Sequence, residues 1–180
     1  ELGRSFVQPR YWGRRSLDYL WYGIGAFLRN NPEYRYLFGP VSISNSYPAA
    51  AKDMLVYFYT TYFADSPEQA RARIPYRLDA ESERQMGEAF CGNDYKRDYV
   101  LLKSRMGHLG CSVPTLFKQY GELCETGGVR FLDFNIDPDF ADCVDGLVVL
   151  DLQCLKSSKR ERYIDIKKQT PDSVPAKSLL

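Results

Sequence analysis

The 180-residue sequence predicts an α/β (α+β) fold, a sheet flanked by helices, on three observations. Its first forty-odd residues read as strand, loop, helix and strand, and a crossover of that kind lays its helix on a sheet face. Two runs, Val129 to Phe134 and Gly146 to Leu152, read as strands after a largely helical middle. The composition, 44% hydrophobic and 26% charged, suits a chain long enough for one buried core.

Each element has a local cause. Leu2 to Val7 is short and partly apolar, and Pro9 closes it because proline cannot continue a ladder. Arg10-Tyr-Trp-Gly-Arg-Arg-Ser16 is a turn with glycine at its centre, and Ser16 is placed to cap the next helix. Leu17, Leu20, Trp21, Ile24, Phe27 and Leu28 recur every three or four residues, giving that helix a broad apolar face. Asn30, Asn31 and Pro32 stop it. Tyr34 to Ser44 reads as a buried strand, with a bulge or bend expected at Gly39-Pro40.

Pro48 opens a helix running to about Phe63, with Met54, Leu55, Phe58 and Tyr62 on one side. Residues 64–83 are polar and read as a surface insertion. Further helices are expected near Asn93 to Met106 and Val113 to Cys124, and Gly127-Gly128 is a turn. Asp137, Asp139, Asp142 and Asp145 lie in the loop joining the last two strands. Residues 1–155 therefore read as one domain and 156–180 as a basic, then polar, tail.

Several function classes drop out. Twenty-four basic residues against 23 acidic give a net charge of +1, so no global field attracts nucleic acid. The longest apolar runs, such as Leu147 to Leu150, are far short of a membrane span. No secretory signal is visible, and Leu2 to Val7 without a lead-in reads as the inside of a longer gene product. Five widely spaced cysteines without C-x-x-C, and a single histidine, His108, argue against a zinc site and for reduced thiols in the cytoplasm.

The informative segment is Arg10 to Ser16. A glycine-centred loop opening a helix aims free N–H groups at one point, where the helix dipole adds positive charge. Arg10, Arg14 and Arg15 bring three guanidinium forks suited to phosphate. A solvated connection carrying surface arginines accounts for the same pattern.

Glu1-Leu-Gly-Arg-Ser-Phe-Val-Gln-Pro9 followed by Arg10-Tyr-Trp-Gly-Arg-Arg15 resembles the central strand and phosphate loop of the GNAT acyltransferase superfamily. More narrowly it is similar to the hemolysin-like ornithine-acyl carrier protein N-acyltransferases, and the Glu1…Arg4 pair resembles acyl-homoserine-lactone synthases. A second block lies downstream in the same order: Val113 to Tyr120, Phe134 to Phe140 and Asp145 to Val149. The whole sequence is similar to the C-terminal part of proteins that also carry a lysophospholipid-acyltransferase-like domain. The loop departs from the superfamily pattern, Gln/Arg-x-x-Gly-x-Gly/Ala, in placing Arg15 at the last small position.

The resemblance implies a GNAT-like mixed central sheet flanked by helices, with the N-terminal strands that normally precede the central strand missing. It implies direct attack of an amine on an acyl thioester, the donor being acyl carrier protein or acyl-CoA, with no permanently bound cofactor and no metal. Gly13, Arg14, Arg15 and Ser16, with Arg10, would hold the pantetheine phosphate, and backbone groups of Ser5, Phe6 and Val7 would pair with its arm. Glu1 would act as base or amine anchor, oriented by Arg4; a surface ion pair is the plain alternative. The implied location is the cytoplasm, with peripheral contact at the inner membrane.

Other signals carry less. Lys118 and Tyr120 stand two apart on an expected helix, so they point different ways. The acidic loop could attract a cationic amine but reads first as a polar turn. Gly23-Ile-Gly25 lies inside a helix, where small residues allow close packing. Tyr57 to Tyr59 with Tyr62 and Phe63 reads as core or a lipid-side wall. His108 lacks the His-x-x-x-x-Asp dyad of glycerolipid acyltransferases, because Val113 stands at the acid's place. Two non-catalytic readings remain beside the enzyme: an acyl-carrier docking domain and a domain held to anionic lipid by the basic segment Lys156 to Arg162.

Overall fold

A computed structural model describes residues 1–3, 7–11, 15–64 and 69–165. The chain divides into two compact units, Glu1–Phe6 with Arg35–Lys156, and Val7–Tyr34 with Ser157–Leu180.

The larger unit is built on three strands, β1 (Tyr36–Ile43), β2 (Val129–Asp137) and β3 (Cys143–Asp151), in the order β1-β3-β2 and antiparallel throughout. Helices α2 (Ala49–Phe63), α3 (Ala80–Ala89), α4 (Tyr95–His108) and α5 (Thr115–Gly121) complete it. This α/β arrangement of helices around a sheet is consistent with a GNAT-like fold. Of the expected first strand, residues 1–3 and 7–8 are not in a strand and residues 4–6 lie outside the described set. Leu2 nonetheless donates its N–H to the Phe38 carbonyl at 2.6 Å, on the edge of β1 away from β3.

That edge explains two residues. β1 pairs with β3 without interruption through Gly39↔Val148 and Pro40↔Leu147, so the expected bulge at Gly39-Pro40 is absent. A Cβ at Gly39 would stand 2.0 Å from the Leu2 carbonyl oxygen, so glycine admits the neighbouring segment. Pro40 faces the same edge as Phe38, two residues earlier, and its missing N–H costs no bond to β3. The bulge lies instead in β2, where one extra residue falls between Phe131 and Phe134. It brings both rings to one face, stacked at 5.7 Å, over Gly146, where a Cβ would meet them at 2.8 and 3.0 Å.

The core lies between the sheet and α2. Pro48 precedes the helix, and Ala51, Met54, Leu55, Phe58 and Tyr59 are buried, as the periodicity requires. Tyr59 packs on Phe117 at 4.9 Å and on Phe131 at 5.0 Å, and Phe58 on Tyr62 at 4.9 Å. Each such aromatic pair adds about 0.5–1.5 kcal/mol beyond area burial. These rings are core, not a lipid-facing wall.

Residues within 64–83 do more than cross the surface. Tyr76 N–H bonds the Phe134 carbonyl at 2.9 Å and Ile136 N–H bonds the Ile74 carbonyl at 2.7 Å, extending the sheet beyond β2. Asp79 then caps α3, accepting from Ser82 N–H at 2.7 Å. The acidic loop is a hairpin turn in which Asp137 accepts from Asp139 N–H at 3.0 Å and Ala141 and Asp142 adopt positive φ.

The smaller unit pairs α1 (Ser16–Asn30) with α6 (Ser157–Tyr163). The start of the expected loose tail, residues 157–163, is thus helical. A Cβ at Gly25 would lie 1.9 Å from the Tyr163 carbonyl oxygen, so this glycine sets the helix approach, whereas Gly23 has nothing within 4 Å. Arg29 secures the end of α6 by donating from Nε to the Ile164 carbonyl at 2.7 Å. The apolar face of α1 is only partly used: Trp21 and Leu28 are buried, while Leu20 and Phe27 are exposed. No helix among the described residues is long and apolar enough to cross a membrane.

Candidate functional site

The turn before α1 begins as a 3-10 turn, Pro9–Tyr11, closed by Tyr11 N–H to the Gln8 carbonyl at 2.9 Å. Arg10 lays its guanidinium 4.7 Å over the Tyr11 ring. Arg15, not Ser16, is the N-cap, and its side chain makes no capping hydrogen bond to the helix. A serine caps by accepting from an amide two or three residues on, which needs the N-cap position. One residue inside, Ser16 instead donates its hydroxyl to the Tyr11 carbonyl at 2.9 Å and ties the two ends of the loop together. Among the described residues no side chain is seen accepting from the first-turn amides of α1, the arrangement an anion-binding loop uses.

Asp18 organises the charges here. One of its oxygens accepts from Arg15 Nε at 3.2 Å and Arg162 Nη2 at 2.7 Å, the other from the Tyr163 hydroxyl at 2.9 Å. Burial pushes the carboxyl up, but the Tyr163 hydroxyl and the two guanidiniums outweigh it and hold it below its ordinary value. The Arg15 side chain remains 70% exposed.

Of the residues implied by the resemblance, Arg15 is therefore brought together with Arg162 at Asp18, while Arg10 and Ser16 each meet Tyr11. Val7 belongs to the same unit and is half-buried. Glu1 belongs to the larger unit, is exposed, and precedes the Leu2 contact with β1. Arg4, Ser5, Phe6, Gly13 and Arg14 lie outside the described residues. Asp18 and Arg162 escape sequence reading because 144 residues separate them. The local hint was an acid three residues after Arg15, in the first turn of the helix.

Described residues of the larger unit line clefts at two places. One, of about 490 Å³, runs along the sheet between Pro40, Arg73, Ile74, Asp133, Asp145 and Leu147. Asp137 and Asp139 also line it, so the acidic hairpin faces a cavity. Asp133 is bound by Arg77 at 2.8 Å and by Ala72 N–H at 2.7 Å. Burial raises its carboxyl and these bonds more than offset that, keeping it below the ordinary range. The other cleft, of about 380 Å³, is lined by Tyr62, Phe63, Tyr95, Cys124, Glu125 and Lys156 among others. Lys118 lies exposed, 3.9 Å from Glu122, and Tyr120 is buried, so the two diverge as their spacing implies. Among the described residues no group of three or more His, Cys, Asp or Glu side chains is placed to hold a metal ion.

No protein-family model matches the chain, and no solved structure matches it. Two curated proteins do. One, from Phocaeicola vulgatus, is named glycine N(alpha)-acyltransferase and is 31% identical over 183 residues, covering 97% of this chain and 55% of the relative. The other, from Bacteroides thetaiotaomicron, carries the same name and is 32% identical over 171 residues, covering 91% of this chain and 50% of the relative. The chain spans about half the length of the curated relatives it matches. Nearly all of it is thus similar to part of an N-acyltransferase.

Proposed function

We propose that this chain is part of a GNAT-type N-acyltransferase that moves a fatty acyl group from a thioester to a primary amine. The similarity of more than nine-tenths of the chain to two glycine N(alpha)-acyltransferases carries the reading. The arginine-bearing turn before α1, with Arg10 and Arg15 exposed, supports it independently.

The chemistry asks little of the protein: hold the donor's phosphate, orient the carbonyl and take one proton from the amine. The amine nitrogen attacks the thioester carbonyl, a C–N bond forms, the C–S bond breaks, and the thiol leaves. Glu1 is our candidate for the proton acceptor, with Arg4 orienting its carboxylate. Arg10, Gly13, Arg14, Arg15 and Ser16 are assigned to the donor phosphate, and Ser5, Phe6 and Val7 to the pantetheine arm through backbone groups. In this scheme Asp18 holds Arg15 by Nε, and the exposed end of the guanidinium meets the phosphate. The acceptor class is a small amino acid, glycine before ornithine; the donor is acyl carrier protein or acyl-CoA. The location we assign is the cytoplasm, with peripheral contact at the inner membrane.

The test is thiol release by the whole protein from long-chain acyl carrier protein and acyl-CoA, with and without glycine, ornithine and other amines. Release that depends on an amine and is lost on Arg14→Ala with Arg15→Ala supports the assignment. Unchanged thioester use in that double variant removes the phosphate role. The second reading, a non-catalytic domain that docks acyl carrier protein or anionic lipid beside a lysophospholipid acyltransferase, is favoured by exposed Arg10, Arg15 and Arg162. Carrier binding by folded protein without release would select it.

A further inference from the structure

Gly128 stands where two cysteines far apart in sequence meet. A Cβ there would lie 2.4 Å from Cys154 Cβ and 2.6 Å from Cys124 Cβ, so the two cysteine carbons are at most 5.0 Å apart. A disulfide needs about 3.5–4.5 Å between them, a range that this upper bound meets or misses by no more than a small backbone shift. The backbones are already tied. Cys124 pairs with Leu155 in an antiparallel bridge, Glu125 N–H bonds the Cys154 carbonyl at 2.8 Å, and Lys156 N–H bonds the Leu123 carbonyl at 3.0 Å.

We propose that Cys124 and Cys154 form a disulfide when the protein meets a small disulfide oxidant such as glutathione disulfide. Cys154 is the half-buried member and reacts first. Its thiolate attacks one oxidant sulfur and one glutathione leaves as thiolate. Cys124, buried beside it, gives up its proton to solvent; its sulfur attacks the Cys154 sulfur and expels the second glutathione. Two protein thiols are oxidised and one glutathione disulfide is reduced to two thiols. Burial, with Cys154 alongside, pushes the Cys124 thiol up to about 12, which keeps it from reacting as the first nucleophile. The thiol of Cys143 lies 3.3 Å from Asp145 Oδ1 and that of Cys111 bonds the Leu109 carbonyl at 3.5 Å, whereas the Cys124 thiol bonds the Asp151 carbonyl at 3.6 Å, beside the turn Leu152–Cys154, and must turn from it to close the bond.

The bond has a structural consequence. Cys124, Glu125, Thr126, Gly127 and Lys156 form one wall of the 380 Å³ cleft, and the bridge would fasten that wall to the turn Leu152–Cys154. This site does not depend on the acyltransferase assignment.

The experiment incubates the whole protein with glutathione disulfide, then denatures it and alkylates remaining thiols for mass analysis. Of this chain's five cysteines, three are expected to take the label, and peptide mapping should join Cys124 to Cys154. The thermal midpoint should rise and return on adding dithiothreitol. Cys154→Ser should lose both the cross-link and the rise, and Cys111→Ser should keep both. The proposal is overturned if both cysteines remain alkylatable, if either links to another cysteine, or if Cys154 retains glutathione without closing onto Cys124. Because Cys154 is half-buried, its serine variant keeps the test sound even if Cys124→Ser fails to fold.

Discussion

Two carboxylates in this molecule are built to one plan and finished differently. Asp98 and Asp18 each stand in the first turn of a helix, and each accepts a tyrosine hydroxyl, from Tyr62 at 2.7 Å and Tyr163 at 2.9 Å. Around Asp98 the remaining donors are backbone, Gly92 N–H at 2.9 Å and Cys91 N–H at 3.2 Å, and the residue is fully buried. Around Asp18 they are guanidiniums, Arg162 and Arg15, and its side chain is 21% exposed. Backbone donors cannot leave without unfolding the loop, whereas an arginine can turn to another anion. The first site fastens the α3–α4 connection to α2, and the second can exchange partners.

Breaking Asp98 should have the largest effect. Asp98→Ala leaves a phenol and two amides buried without an acceptor, expected to cost about 3–5 kcal/mol in urea unfolding. Tyr62→Phe removes one bond and should cost about 1–2 kcal/mol. Burial raises the Asp98 carboxyl, but its hydrogen bonds prevail and hold it below the ordinary carboxylate value. A depressed folded-state pKa means this stabilisation is complete above about pH 4 and is lost as pH falls through the lowered value. Acid unfolding monitored by circular dichroism should therefore move to higher pH in Asp98→Ala than in Asp18→Asn. Equal shifts would mean that burial makes no difference between the two sites.

A second pair of variants sharpens the comparison within α1. Gly25→Ala drives a methyl into the Tyr163 carbonyl at 1.9 Å and must push α6 away, with an expected loss of about 1–3 kcal/mol. Gly23→Ala meets nothing within 4 Å and should gain about 0.5–1 kcal/mol from helix propensity alone. Opposite signs in chemical unfolding would establish that α6 packs on one glycine and not the other.

What was legible in the sequence follows from the range of each cause. The spacing of Met54, Leu55 and Phe58 places α2, and the short apolar-rich runs from Val129 and Gly146 place β2 and β3, because such patterns are local. α3 was hidden: Asp79 and its acidic first turn carry a capping signal, but Met86 is its one buried residue, so no apolar stripe marks it. Residue type points to a bulge at Gly39-Pro40, although that glycine answers to Leu2 and the proline stands on the edge of β1 away from β3. At the candidate site the arginines of 10–16 stood out, while Ser16's real partner, Tyr11, and the reach of Arg162 to Asp18 depend on tertiary geometry. A motif names the charges present; only the fold says which acid restrains them.

That restraint yields the smallest expected effect. Asp18 shares its oxygen between two exposed guanidiniums, so Asp18→Asn should cost no more than about 1 kcal/mol, and less in high salt. If Arg15 meets the donor phosphate, Asp18 has opposing influences on it: it orients the guanidinium but also partly cancels its charge. Removing one negative charge beside the turn should lower KM for an acyl thioester by no more than about fivefold at low salt, with kcat unchanged. The gain should disappear at high salt, where the field is screened. A rise in KM would instead mean that orientation outweighs charge, making Asp18 a positioning residue for Arg15. A KM indifferent to both salt and Asp18 would detach this turn from donor binding, leaving Asp18 only the task of joining α6 to α1.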